Sequence, residues 1–378
     1  MKRRIYLDHA ATRFPKPSIV IETMREYSLA EEAAVGRGAY RSSQNASEML
    51  SQLRREVASW IDADDSNEIS FHSGGTEALN TAIFGLLQTG DHVVTTDAEH
   101  NSVLRPLHEL VRTGRIRWSL IPVSKQGLVD VDDVINAVGE STRLVAMVHG
   151  ANVNGAVQDI QSVGTTLFQN ASSNKPAFLV DAAQTFGYLP LSVDDAKIDL
   201  LAAPGHKGGS GPLGTGFLYA RQTMHACLRP LLFGGTGSQS ESMEMPTDYP
   251  AAFEAGNQNV PAAAGWLAGL RSRRGEEAAQ AWLQTNATRL TALAEQLHQR
   301  LRSIPGVQLI GAVDSPRLPI ASVAIEGLPA DEAAMILDGE FGIEVRSGMH
   351  CAARVHASLG SPPGGTLRIS ASENTTTE

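Results

Sequence analysis

"IDLLAAPGHKGGSGPLGTGFLYA", residues 198–220, is the stretch on which the fold turns. Its two ends, "IDLLAAPG" and "GTGFLYA", are short apolar runs that predict buried strands. Between the runs lie His206 and Lys207, and the whole stretch holds six glycines and two prolines. The lysine can be a solvated turn residue, as most lysines are, or an amine held near a pocket that forms an imine. It is not the lysine of a nucleotide-binding P-loop, because it precedes most of its glycines and no Ser or Thr directly follows it.

The same pattern extends upstream. "EISFHSGG", "DHVVTTDAEH", "IRWSLIPV", "RLVAMVHG" and "AFLVDAAQ" predict strands. The segments "TEALNTAIFGLLQTG", "NSVLRPLHELVRTG", "DVDDVINAVG" and "DIQSVGTTLFQN" between them predict helices, the first ended by Gly90. Strands alternating with helices predict an α/β fold with a mostly parallel, seven-stranded sheet buried on both faces. Beyond about residue 260 the texture changes. An Ala-, Leu- and Gln-rich run predicts one long helix, followed by the strand-like "IASVAIEG", "EFGIEVRSG" and "TLRISAS" of a smaller α+β domain. The expected division is a large domain at 18–260 and a small one built from 1–17 and 261–378. "GGTGSQSESMEMPTDYP" reads as a long polar loop.

The chain has 378 residues, is 42% hydrophobic and 19% charged, and carries a formal net charge of −10. It can bury a large core. The acidic balance argues against a broad nucleic-acid surface. No apolar run is long enough to span a bilayer. Asp8 and His9 interrupt the basic start before any signal-like apolar segment forms. Cytoplasmic residence, with reduced thiols at Cys227 and Cys351, is the expectation. No CxxC or HExxH is present, and no metal site is expected.

In open α/β sheets, ligands bind at the carboxyl ends of strands. Gly74, Gly75 and Thr76 fall at a strand-to-helix turn, where free amides suit an anion or simply make an ordinary turn. His100 falls at another strand end and reads as a cap or a catalyst. Asp181 ends a very apolar strand, where a carboxylate is costly unless paired. Cys351 follows His350, with Arg346 and Arg368 among the nearby cations in sequence, and reads as an inert residue or a reactive thiolate. An acid 26 residues before a lysine, both at strand ends, is the arrangement that pyridoxal phosphate needs. The lysine holds the aldehyde, the acid keeps the pyridine nitrogen protonated, and a helix N-terminus takes the phosphate.

Eight motifs in order then show a resemblance: "YLDHAAT", "SGGTEALN", "DAEHNSV", "HGANVNGAV", "VDAAQTFG", "PGHKGGSGPLGTGFLY", "AFEAGNQNV" and "EVRSGMHCA". The chain resembles, over nearly its whole length, the cysteine desulfurase and selenocysteine lyase family, enzymes of the class V aminotransferase fold (fold-type I, dependent on pyridoxal 5'-phosphate). The resemblance implies conversion of L-cysteine to L-alanine, with sulfur passing to an enzyme cysteine as a persulfide and then to an acceptor. It implies Lys207 as the imine-forming lysine, Asp181 on the pyridine nitrogen and Gln184 on the ring hydroxyl. His100 would stack on the ring, and Thr76 and His206 would contact the phosphate. Gly75 belongs to the same cradle, and Asn257 to a loop that reaches a partner's phosphate site in a homodimer. Asn152 and Arg368 would hold the substrate carboxylate, Arg346 would line the entrance, and Cys351 would take the sulfur. L-selenocysteine is the alternative substrate. Another class V enzyme, or a catalytically weakened sulfur-relay scaffold, is the alternative activity.

Several positions depart from the family pattern. Gly75 stands where a second Thr is frequent, and Pro204 where a phosphate-binding Ser is common. Asn257 and Gln258 replace Thr-Pro. After "LRISAS" the family runs on through a further loop and helix, whereas "ENTTTE" ends this sequence.

Overall fold

A computed structural model describes residues 4–36, 38–170, 175–237, 241–311 and 317–376. By internal contacts the chain divides into two units. One comprises Met1–Phe14, Thr89–Pro176 and Gln284–Glu378, and the other Pro15–Gln88 and Ala177–Leu283. In chain order the strands are β1 (Ile5–Tyr6), β2 (Ile69–His72), β3 (His92–Thr96), β4 (Arg117–Ile121) and β5 (Thr142–Val148). Next come β6 (Ala177–Asp181), β7 (Leu200–Pro204) and β8 (Gly216–Ala220). The last are β9 (Val307–Ile310), β10 (Ile320–Ile325), β11 (Ile343–Glu344), β12 (Arg346–Gly348) and β13 (Thr366–Ser370).

The seven strands expected of the large sheet are all present. Three fall in the first unit, where β3 pairs in parallel with both β4 and β5. The first unit also holds a four-stranded antiparallel sheet in the order β12-β13-β10-β9, and β1 pairs in parallel with β11. This is the α+β portion that the late strand-like runs predict. β9 is an addition that sequence reading did not single out.

The second unit holds the other four strands. β6 and β7 run parallel, whereas β8 is antiparallel to both β7 and β2. The exception has a simple cause. The glycine loop between β7 and β8 contains no crossover helix, so the chain turns back on itself. Every residue of β6, β7 and β8 is buried, as continuous apolar runs require.

The long helix expected after residue 260 is instead two helices, Val260–Arg274 and Ala279–Arg302. Gly275 caps the first with φ +57°, a conformation that ends a helix and suits glycine. The helix expected to run to Gly90 covers Gly75–Leu86. No helix of the described residues is long and apolar enough to cross a membrane.

Candidate active site

In the second unit the strand registers bring three carboxyl ends together. Asp181 lies opposite Ala202 across β6 and β7. Pro204 and His72 both lie opposite Gly216 of β8. Asp181, the loop after Pro204 and the turn after His72 therefore share one edge. Asp181 is 2% exposed and accepts from the Ala183 amide at 2.9 Å. Burial pushes its carboxyl above the usual range; the Ala183 amide and the charge of Lys207 oppose that. A carboxylate in that setting favours a cationic partner. Gln184 follows on the same turn and is also buried.

Lys207 is half-buried on a loop closed by the amide of Ser210 on the Lys207 carbonyl (3.0 Å) and that of Gly211 on the Gly205 carbonyl (2.8 Å). The many glycines have a packing reason. A Cβ at Gly205, Gly209 or Gly211 would fall within about 3 Å of the Trp266 indole, which lies against the loop. Beside Lys207, burial followed by the charges of Lys207 and Lys16 pushes the His206 imidazole down to about 4. His206 is thus neutral at neutral pH, a hydrogen-bonding group rather than a charge.

The helix that begins at Gly75 has no side-chain cap at Gly74. Its first-turn amides, by position, have no intrahelical acceptor. Glu77 turns back to accept from the Ser73 amide at 2.7 Å. Its hydrogen bond with His72, then those with Ser73, hold its carboxyl at about 2 against burial. Gly75 and Pro204, two departures from the family pattern, prove to be neighbours. A Cβ on Gly75 would lie 3.0 Å from Pro204 Cδ. Thr76 is exposed at this turn. Exposed Asn257 lines a cavity of about 240 Å³ together with Ser73, Glu77 and Trp266. Neither Asp181 nor Lys207 lines that cavity.

The first unit assembles the remaining residues. His100 caps the helix Asn101–Arg112, its Nδ1 accepting from the Ser102 amide at 3.0 Å. That bond leaves the proton of the neutral ring on Nε2. The next amide, Asn101, donates to the Cys351 carbonyl at 2.8 Å. Cys351 is exposed, and both it (φ +57°) and His350 (φ +49°) adopt the left-handed conformation, which lifts the thiol on a sharp turn. Arg346 Nη2 donates to Cys351 Sγ at 3.4 Å.

Asn152 Nδ2 donates to the His350 carbonyl at 2.6 Å, and the Asn152 carbonyl accepts from Arg368 Nη1 at 3.0 Å. Arg368, 1% exposed, pairs with Asp8 at 2.6 Å. Its buried Nε has no acceptor among the described residues. His100, Asn152, Arg346, Cys351 and Arg368 thus form one connected cluster.

Sequence reasoning missed several supports of these clusters. Asp8 lies within the quoted "YLDHAAT" and was not assigned a role, although a buried arginine is costly unless its charge is paired or hydrogen-bonded. Arg354 pairs with Asp97 at 2.6 Å and ties the segment after Cys351 to the end of β3. Lys16 and Arg273 lie outside every motif. Both cysteines are free, and no metal-binding group occurs among the described residues.

The aminotransferase class-V family model matches residues 5–378. A probable cysteine desulfurase of Methanothermobacter thermautotrophicus is 36% identical over 98% of this chain and 90% of its own length. One from Pyrococcus abyssi is 33% identical over 97% and 89%. Among solved structures, the apo cysteine desulfurase of Thermococcus onnurineus superposes with a TM-score of 0.86 at 31% identity, covering 99% of this chain and 91% of that one. An S-sulfonic acid form of an Escherichia coli cysteine desulfurase gives 0.84 at 27% identity, covering 98% and 90%. The chain therefore belongs to the class-V aminotransferase family, alongside the cysteine desulfurases it matches along its whole length.

Proposed function

We propose that this protein is a pyridoxal 5'-phosphate-dependent cysteine desulfurase that converts L-cysteine to L-alanine and takes the sulfur onto Cys351. The observation that carries this reading over other class-V activities is Cys351 itself. It is an exposed thiol on a left-handed turn, with Arg346 on its sulfur and its carbonyl fixed to the helix that His100 caps.

The residues of the second unit fit the cofactor. Lys207 would anchor it through its amine. Asp181, buried at the neighbouring strand end, would pair with the ring nitrogen and Gln184 with the ring hydroxyl. The Gly74–Thr76 amides and neutral His206 would hold the phosphate. The pairing of Gly75 with Pro204 leaves that contact to backbone amides more than to side chains. Once bound, the cofactor would supply a sink for the electron pair left on the substrate Cα when its proton is removed.

The protein's own groups do the rest. Lys207 would take the Cα proton, and His100 would stack on the ring when the cofactor is bound. Arg368 and Asn152 hold the substrate carboxylate; the buried Arg368 Nε is a donor suited to it. The Cys351 thiolate would bond to the substrate sulfur as the Cβ–S bond breaks. The electron pair stays with the Cβ fragment, which takes up a proton to become alanine. The outer sulfur of the Cys351 persulfide then passes to an acceptor protein, leaving Cys351 as a thiol. The same proposal includes a cytoplasmic homodimer and the division into a cofactor domain at 18–260 and a small domain at 1–17 and 261–378.

The test is Cys351→Ser in the full chain. It should keep the cofactor's absorbance band and lose release of alanine and sulfide from L-cysteine. Unchanged sulfide release would remove Cys351 from the reaction.

A further inference from the structure

Two cations grip the backbone on either side of Lys207. Lys16 Nζ donates to the carbonyl of His206, the residue before it. Arg273 Nη1 donates to the carbonyl of Gly208, the residue after it. The second arm of the Arg273 fork donates to the Gly187 carbonyl at 2.7 Å. Gly187 closes the turn that leaves Asp181 and carries Gln184. One planar guanidinium therefore ties the loop of Lys207 to the turn of Asp181, which a point-charge ammonium could not do with the same geometry.

The surroundings fix that guanidinium in turn. Trp282, Trp60 and Tyr188 surround it, at 4.4, 5.3 and 5.7 Å from ring centroid to Cζ. Such aromatic walls attract the cation and keep water from its hydrogen bonds. The two backbones also touch. A Cβ on Gly208 would overlap the Phe186 carbonyl, and one on Gly187 would overlap Gly208 itself. Arg273 lies in the last turn of its helix, and Lys16 just before the helix Ser18–Ala30.

We propose that Lys16 and Arg273 are positioning residues for Lys207: they hold its two flanking peptide groups and so set the direction in which its amine leaves the loop. The functional meaning rests on Lys207 being the cofactor lysine, whereas the clamp itself does not. Lys16 also brings a positive charge to His206, the residue before Lys207.

The test uses full-length Arg273→Met, Arg273→Lys and Lys16→Met, with two readouts. The first is backbone hydrogen exchange of peptides covering 205–211, measured without added cofactor. Arg273→Met should speed it by about tenfold relative to peptides from Asn101–Arg112, and Arg273→Lys by less. The second is the pH midpoint of the absorbance band after loading with pyridoxal 5'-phosphate. Lys16→Met removes the cation held on the peptide carbonyl just before Lys207, so the midpoint should rise by about half a pH unit. Unchanged exchange in both Met variants overturns the clamp, and an unmoved midpoint in Lys16→Met overturns its positioning role. Should Arg273→Met not fold, Lys16→Met carries the same exchange prediction. If exchange responds but the unaltered protein forms no band, the cofactor reading fails and the clamp stands.

Discussion

Replacing Asp8 by Leu removes the acid paired with a nearly inaccessible arginine. Arg368 is 1% exposed, while Asp8 retains 21% of its side-chain exposure. The bond between them is 2.6 Å, and among the described residues the guanidinium's other hydrogen bond is to the neutral Asn152 carbonyl. Asp8→Leu therefore leaves a buried positive charge without its carboxylate, hydrogen-bonded to a neutral carbonyl. Breaking a buried pair from one side costs about 3–5 kcal/mol. The partial exposure of Asp8 argues for the lower end, about 3 kcal/mol, or roughly a hundredfold in the unfolding equilibrium. The assay is urea unfolding followed by circular dichroism. The reasoning is tested by a second variant, Asp8→Leu with Arg368→Met, which removes both charges. Because the cost comes from the stranded cation, the double variant should be more stable than Asp8→Leu alone. A double variant that loses the sum of the two single losses would refute the argument, and would mean the contacts act independently.

Two further outcomes follow from other neighbourhoods. Gly75→Thr places a Cβ 3.0 Å from Pro204 Cδ and should destabilise by about 1–3 kcal/mol, with Gly75→Thr/Pro204→Ser recovering much of that in thermal unfolding. His298 is buried, its Nε2 on the Ile320 carbonyl and its Nδ1 accepting from Arg317 at 2.7 Å. Burial, then the charges of Arg317 and Arg302, pushes it down to about 4 from 6.5, against the Ile320 bond. The unfolded chain takes up its proton first, so this contribution is complete above pH 6.5 and is lost as pH falls toward 4. Unfolding midpoints measured between pH 7 and 5 should fall less steeply in His298→Gln than in the unaltered protein.

The sequence made the strands of the second unit, and the charged residues at their ends, legible. Apolar runs marked β6, β7 and β8 because residues buried on both faces must be apolar throughout. Asp181 and Lys207 stood out because a charge at the end of such a run is costly and needs a reason. The direction of β8 was not legible. It follows from a loop without a helix, which residue patterns show less clearly than strands. The break at Gly275 was visible as a glycine but sat inside helical spacing strong enough to mask it.

The supports of the two clusters were illegible for a different reason. Asp8 and Arg368 are 360 residues apart in sequence. Arg273 reaches Gly208 across 65 residues. Pattern reading detects periodicity and local turns, whereas these contacts depend on where separate elements finish. The glycines around Lys207 show the same limit. From composition they suggest a loop opened for a ligand, but in the fold they are packed against Trp266 and against the turn of Gln184. Their absent side chains make room for an indole and for a neighbouring backbone. The result is a closely packed loop gripped by Lys16 and Arg273, from which one half-buried amine emerges. Glycine content here marks tight packing around Lys207 more than freedom of the chain.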